Sequence, residues 1–421
     1  MAVEISYSFI TAYNGNVFQN RHAYMKKTTE YRAIAEEIQK KDTSFYRMEK
    51  TENLTLNDSM TCGYYGLGHS SSTYDETQLQ FMKEIGYDWY SYWPSYGRGN
   101  TKIMDSLLGI KYIITPKGKT YRGYNFALEN GNYQVLENPT ALSIGYIAEN
   151  PKTELEETSN PFKMQEELLN GLTGEENKYY EEYMPSNIKN ENIVEKENNI
   201  YGKQDDTKDG KIIMNYKIKD NDDLYFHITS SYNGVQSAFE IFVNGKPAGQ
   251  YIGIQNNGVI PLEEYLKEEN SDNLEIIIQW RVNEDIPISE ITLVKENNQA
   301  WEKAYEKLKE NQLTEINDRE GILSGNIEIQ ENGMLFTTIP YDKNLKVEIN
   351  GKEIKPEKIY SYFLGIPVEK GKQEIKIEYK YSSFTIGIII SLIVLIGVLI
   401  YLWKKRNKKE VLQLGKNKRN I

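Results

Sequence analysis

Residues 384–403 read FTIGIIISLIVLIGVLIYLW, and this run decides the architecture. It carries no charge, and its polar side chains are Thr385, Ser391 and the terminal Tyr401 and Trp403. Roughly 20 residues rising about 1.5 Å each extend about 30 Å, the thickness of a hydrocarbon core. A buried soluble helix of that length normally keeps a polar stripe, which is missing here. Residues 384–403 are therefore expected to form one transmembrane helix.

The flanks orient it. Residues 404–421 hold Lys404, Lys405, Arg406, Lys408, Lys409, Lys416, Lys418 and Arg419 against a single acid, Glu410. Cytoplasmic flanks carry excess Lys and Arg, so this tail is expected inside and the large N-terminal part outside the cell membrane. The lipid bilayer is thus the first expected partner. The whole protein is net −11 despite its basic tail, so the remainder is acidic and nucleic acid is not expected as a partner. Cys62 is the single cysteine, which excludes an intramolecular disulfide. The first residues, MAVEISYSFITAYNGNVFQN, lack a basic stretch followed by an apolar one, so they do not read as a signal peptide. Either the late helix inserts without help, or this chain is the C-terminal piece of a longer membrane protein, and the second is the favoured expectation.

Working back from the helix, the chain divides by composition. Residues 1–174 mix helices and strands. Thr28 and Thr29 are expected to open a helix whose apolar face is Tyr31, Ile34, Ala35 and Ile38. Thr73 and Glu76 have the spacing of a capping box, with Gly86 as the left-handed stop of the helix that follows. A helix through Met104, Leu107 and Leu108 and a strand over 110–115 come next, then an Asn130-Gly131 hairpin signal and a helix after Asn160-Pro161. Residues 175–209 are polar, with little apolar periodicity, and read as a linker or a loosely packed excursion.

Beyond them, 210–297 and 321–382 are strand-rich, separated by a connecting helix over 298–320 with Trp301, Ala304, Tyr305 and Leu308 on one face. The two blocks repeat their landmarks. FEIFVNGKPAGQYIG, GVIPLEEYL and NLEIIIQW in the first match LKVEINGKEI, LGIPVEKG and QEIKIEYKY in the second. Asn244-Gly245 and Asn350-Gly351 fall at hairpin turns, where both residues tolerate positive φ. The expected fold class is α+β: an N-terminal mixed α/β domain, two jelly-roll-like β-sandwich modules and one C-terminal transmembrane helix.

Familiar catalytic signatures are missing: no Cys-x-x-Cys, His-Glu-x-x-His, Walker loop or Gly-x-Ser-x-Gly occurs. His22, His69 and His227 are scattered, which disfavours a histidine metal site, and no metal or cofactor is expected. The densest polar constellation is LTLNDSMTCGYYGLGHSSSTYDE. Its Asn57, Asp58, Ser59, His69 and Ser70 have the chemistry to hydrogen-bond a sugar or phosphate, with glycines allowing close approach. An Asx-type turn followed by helix-capping serines accounts for them equally well. In IGYDWYSYWPSYGRGN, Trp89 and Trp93 suit a sugar ring, a bilayer interface or a seam between domains. Arg98 beside them suits a phosphate or plain solvent. Asp105 has the look of a lone carboxylate base, but without a partner acid or metal cluster it reads as a helix-face residue.

NDSMTCGYYGLGHSSST, DSLLGIKYIIT, LENPTALSIGY, LFTTIPYDKNLKVEINGKEI and the terminal helix resemble, in order, the C-terminal half of bacterial YfhO-like membrane proteins. The resemblance covers nearly the whole chain. It implies a GT-C-type glycosyltransferase that adds sugars from an undecaprenyl-phosphate carrier to lipoteichoic acid or a related cell-wall polymer. In such enzymes the catalytic acids lie in an early loop between the first membrane helices, a half this chain lacks. No catalytic residue is therefore carried over, and activity is not expected from this chain alone. The implied partners are a cell-wall glycan or lipid-linked sugar and the multi-helix N-terminal half. The alternative expectation is a stand-alone, membrane-anchored, non-catalytic carbohydrate-binding surface protein.

Overall fold

The computed structural model describes residues 2–15, 20–72, 76–90, 93–97, 99–156, 158–219, 222–253, 258–266, 272–380 and 382–417. A four-stranded sheet organises the N-terminal region, in the order Arg47–Lys50, Ile110–Pro116, Tyr133–Glu137, Asn125–Asn130. The first pair is parallel and the others antiparallel. Helix Arg21–Lys41 lays Tyr31, Ile34, Ala35 and Ile38 on this sheet, against Met48, Tyr112, Ile114 and Val135. It begins earlier than Thr28 because the Asn20 side chain caps it, accepting from the amides of His22 and Ala23. The threonine hydroxyls instead donate one turn back, to the carbonyls of Tyr24 and Met25. Residues 73–75 of the expected capping box lie outside the described residues; helix Glu76–Glu84 follows them, and Gly86 is left-handed at φ 81°.

The two strand-rich blocks share an antiparallel sheet plan. In the first, the order is Lys246–Ile252, Ser237–Val243, Asn273–Trp280, Lys211–Lys217, Asn187–Glu191. In the second, it is Lys352–Ile354, Leu345–Ile349, Gly371–Tyr379, Ile322–Ile329, Thr314–Arg319. Both Asn-Gly pairs form tight hairpin turns with both residues at positive φ: Asn244 48° and Gly245 74°, Asn350 52° and Gly351 77°.

The jelly-roll expectation is corrected. The sheets stay open, and none curls or closes on itself. Moreover, the second block is not self-contained. Its other sheet runs Glu357–Ile359, Phe363–Val368, Gly333–Pro340, Gly145–Ala148, so the N-terminal region supplies the edge strand. Asn-Gly turns dictate local hairpins, whereas the partner of an edge strand is chosen by packing far away in sequence.

Residues 175–209, read as a linker, instead carry strands Tyr180–Glu182, Asn187–Glu191, Ile193–Glu197 and Ile200–Lys203. These pair with Ile286–Glu296, with Lys211–Lys217 and with each other. Their side chains are mostly exposed, so backbone pairing holds them and no apolar alternation marks them. The connecting helix is shorter than expected, Asn298–Glu310, and strand Thr314–Arg319 follows it. A large core unites the N-terminal region, this helix and helix Pro161–Thr173 around Phe162, Leu168, Tyr146, Trp301 and Phe336. Helix Ser382–Asn417 projects from the body. Its segment Ile386–Arg406, 21 residues of mean hydropathy 2.8, buries none of its surface in the protein.

Candidate functional site

A cleft of about 1040 Å³ opens where the N-terminal region meets both strand-rich blocks. One wall comes from helix Glu76–Glu84 and Trp89, the floor from strand Leu224–Ser230 and residues 231–233, and the rim from 154–156, 158–159 and Ser361-Tyr362. The Lys83 ammonium sits 3.8 Å from the centre of the Trp89 ring, and burial pushes its pKa below the usual lysine range. Tyr362 donates to Oε2 of Glu84 at 2.6 Å, while Nε2 of Gln80 donates to its Oε1 at 2.8 Å. Tyr251 donates to the Ser230 carbonyl at 2.8 Å, and Thr229 to the Ser159 carbonyl at 3.2 Å. The wall is thus braced by its own hydrogen bonds, with hydroxyl, amide and aromatic groups turned toward the opening.

Of the candidate binding residues named from the sequence, Trp89 is the one among the described residues that lines this cleft; His227 lines it too. The 57–72 loop is closed on itself. The Ser70 amide donates to Oδ1 of Asn57 at 2.7 Å, and Nδ2 of Asn57 donates to the Ser70 carbonyl at 3.1 Å. Asp58 accepts from the amides of Leu54 and Thr55 and from the Thr55 hydroxyl, and it pairs with Lys50 where both side chains are buried. Ser59 is buried beside it. His69 places Nδ1 3.2 Å from the Leu67 carbonyl, so that nitrogen carries the proton in this contact. Trp93 donates through Nε1 to the Ser71 carbonyl at 3.1 Å, tying the hairpin Trp89–Tyr90, Trp93–Pro94 to the loop. The Glu49 carboxylate, its pKa raised by burial, receives the amides of Leu67 and Gly68 from below. A Cβ on Gly66 would lie 3.0 Å from Cβ of Ser59 and 3.2 Å from Oε1 of Glu49, which explains the glycine. Arg98 lies outside the described residues.

Asp105 lies on helix Lys102–Leu107, as expected, and is buried there. It is 1% exposed and accepts from Tyr87 at 3.1 Å, Tyr96 at 2.7 Å and Tyr124 at 2.7 Å. Burial lifts its carboxyl to about 7, against the pull of the three hydroxyls. A second acid, Glu296, is lifted by burial to about 8; Lys102 opposes the shift and Asp223 adds to it. Its Oε2 accepts from Tyr225 at 3.3 Å, while Oε1 is buried without a hydrogen-bond partner. Neither carboxyl lines the cleft. The tyrosine-rich stretch around Tyr87, Tyr96, Tyr121 and Tyr124 was the one sequence signal for this cluster. Among the described residues no group of three or more His, Cys, Asp or Glu is placed to hold a metal ion.

Residues 1–391 match the family described as bacterial membrane protein YfhO. The chain is 24% identical over 397 residues to uncharacterized protein YfhO of Bacillus subtilis (strain 168), covering 88% of this chain. It spans 44% of that relative's length. Among solved structures, Ruminococcus gnavus β-glucuronidase aligns at 6% identity and a TM-score of 0.20, over 45% of this chain and 39% of that enzyme. The same enzyme with N1-substituted uronic isofagomine aligns at 7% and 0.19, over 45% and 40%. At such scores the likeness transfers neither fold nor function.

Proposed function

The chain belongs to the YfhO family of bacterial membrane proteins, and we propose that it is the extracytoplasmic and terminal-helix portion of a membrane glycosyltransferase. In this reading the whole enzyme adds sugars from an undecaprenyl-phosphate carrier to lipoteichoic acid or a related cell-wall polymer. In this reading the catalytic acids lie in an early extracytoplasmic loop between the first membrane helices, outside this chain, which transfers no sugar by itself.

The observation that carries the reading is a large folded body ending, among the described residues, in one exposed helix whose run 384–403 is apolar and uncharged, in a chain of this family. The excess of Lys and Arg after Trp403 favours a cytoplasmic tail and an extracytoplasmic body. The body's share of the work is to hold the polymer acceptor over the membrane, with the hairpin of Trp89 and Trp93 and the loop of Asn57, Asp58, Ser59, His69 and Ser70 as its acceptor side. Arg98, which follows Trp93 in sequence, is proposed to serve the same acceptor.

The test is the sugar content of lipoteichoic acid purified from cells without the gene, with it, and with His69→Ala or Trp93→Ala in the full-length protein. Loss of the sugar without the gene supports the transferase reading. Polymer unchanged by loss of the gene sinks it, and unchanged glycosylation in both variants sinks the acceptor assignment.

A further inference from the structure

We infer that the cleft between the N-terminal region and the two strand-rich blocks binds uncharged sugar residues, and does not bind the phosphate backbone of a polymer. The inference rests on the acceptor-holding role proposed above and names what is held. Three features of the cleft converge on it.

The first is construction. The floor exists because residues 232–233 and Gly253 approach backbone to backbone: a Cβ on Gly253 would fall 2.4 Å from Cα of Asn233. Tyr251 and Thr229 fasten this floor to its surroundings, so the cavity is held open by the fold itself. Its volume of about 1040 Å³ lies at the upper end of ligand pockets, enough for more than a single small molecule.

The second is the chemistry of the lining. Trp89 and Tyr362 supply aromatic surface beside helix Glu76–Glu84, Trp89 against Lys83 and Tyr362 against Phe81 and Glu84, while Ser231 and Asn233 bring a hydroxyl and an amide to the lining from an exposed stretch. Hydroxyl-bearing rings need both kinds of group: a flat apolar face to cover their C–H surface, and neutral donors and acceptors for their hydroxyls.

The third is charge. Glu84, Glu154 and Glu156 border the cleft against Lys83 and His227. The Lys83 ammonium is already seated on the Trp89 ring. Acids outnumber lysine and arginine here, which repels a phosphodiester chain and leaves neutral saccharide as the favoured occupant.

The experiment follows tryptophan fluorescence of the full chain in detergent micelles during titration with a panel of neutral oligosaccharides, gluco- and N-acetylglucosamine-based. A parallel titration uses sugar-free poly(glycerol phosphate). Expected is a saturable change with at least one neutral saccharide, weakened about tenfold or more by Trp89→Ala and by Ser231→Trp, with none from the polyphosphate. Because Trp89→Ala removes a fluorophore, calorimetric titration is run on each variant. Ser231→Trp starts from an exposed position and fills the cleft, so it blocks binding without opening the core. No saturable binding by any neutral saccharide up to about 10 mM, or binding of the polyphosphate, overturns the inference. Saccharide binding in a protein whose loss leaves lipoteichoic acid unchanged would keep the cleft and sink the transferase. Loss of polymer sugars without saccharide binding would do the reverse.

Discussion

The hydroxyl of Tyr96 donates to Oδ2 of Asp105 at 2.7 Å, in a place where the aspartate is 1% exposed. Tyr124 makes the same bond to the same oxygen, and Tyr87 reaches the other one. The carboxyl therefore serves as a hub that gathers three separated stretches of the N-terminal region. Tyr225 and Glu296 continue the polar seam into the first strand-rich block.

These buried acids make stability depend on pH. Asp105 is lifted from 3.8 to about 7 and Glu296 from 4.5 to about 8, both chiefly by desolvation. Each holds its proton more tightly folded than unfolded. Their contribution to stability is thus complete below about pH 4 and is lost as pH rises through about 7 and then about 8. Glu49, Lys102 and Asp223 face the same seam and modulate the titration. Asp105→Asn and Glu296→Gln, neutral at all these pH values, should flatten the decline. Thermal unfolding of the full chain in detergent between about pH 5 and 9 checks this. A wild-type midpoint that does not fall over that range would contradict it.

The Lys50–Asp58 pair predicts a different response. Both side chains are buried, with side-chain exposures of 3% and 2%. Asp58→Ala strands a buried ammonium and frees the amides of Leu54 and Thr55, and should cost about 3–5 kcal/mol. Asp58→Asn keeps part of the hydrogen bonding and should cost less. Denaturant titration distinguishes the two; equal, small losses would show that the pair bears little load.

Gly86 tests the joint between regions. It is left-handed, its carbonyl accepts the Val259 amide at 2.8 Å, and an added Cβ would lie 2.5 Å from Cγ2 of Val259. The neighbouring Gly258 amide donates to Asp88 at 2.9 Å. Gly86→Ala combines backbone strain with overpacking and should destabilise by about 1–3 kcal/mol. Limited proteolysis should then cut between the N-terminal region and the first strand-rich block. A variant as resistant as wild type would mean that the joint relaxes freely.

Local signals in the sequence carried over well into the structure, and long-range ones did not. Asn244-Gly245 and Asn350-Gly351 specify their turns through backbone preferences of two residues, and both turns form. The apolar run after Phe384 needs no partner to be read. The strands at 187–203 carry exposed side chains and owe their place to ladders with distant residues. The strand Gly145–Ala148 joins a sheet whose other members begin at Gly333. The same division holds at the candidate site. Trp89 was legible as an aromatic with some task, but its place in the cleft depends on strands more than a hundred residues away. Asn57 and Ser70 were equally legible, and the structure shows them bonded to each other. Asp105 was missed because its partners come from three segments whose meeting no local pattern records.

The account centres on a body held outside the membrane by one terminal helix, and cysteine labelling in intact cells tests this most directly. Cys62 gives a quiet background, since it is 2% exposed and burial pushes its thiol up to about 11. Ser231→Cys in the body and Asn407→Cys in the tail are introduced separately into the protein in its native membrane. Cells are then exposed to a membrane-impermeant maleimide. The account predicts labelling at position 231 in intact cells and at position 407 only after permeabilisation. Labelling at 407 in intact cells, with 231 protected until the membrane is opened, would contradict it.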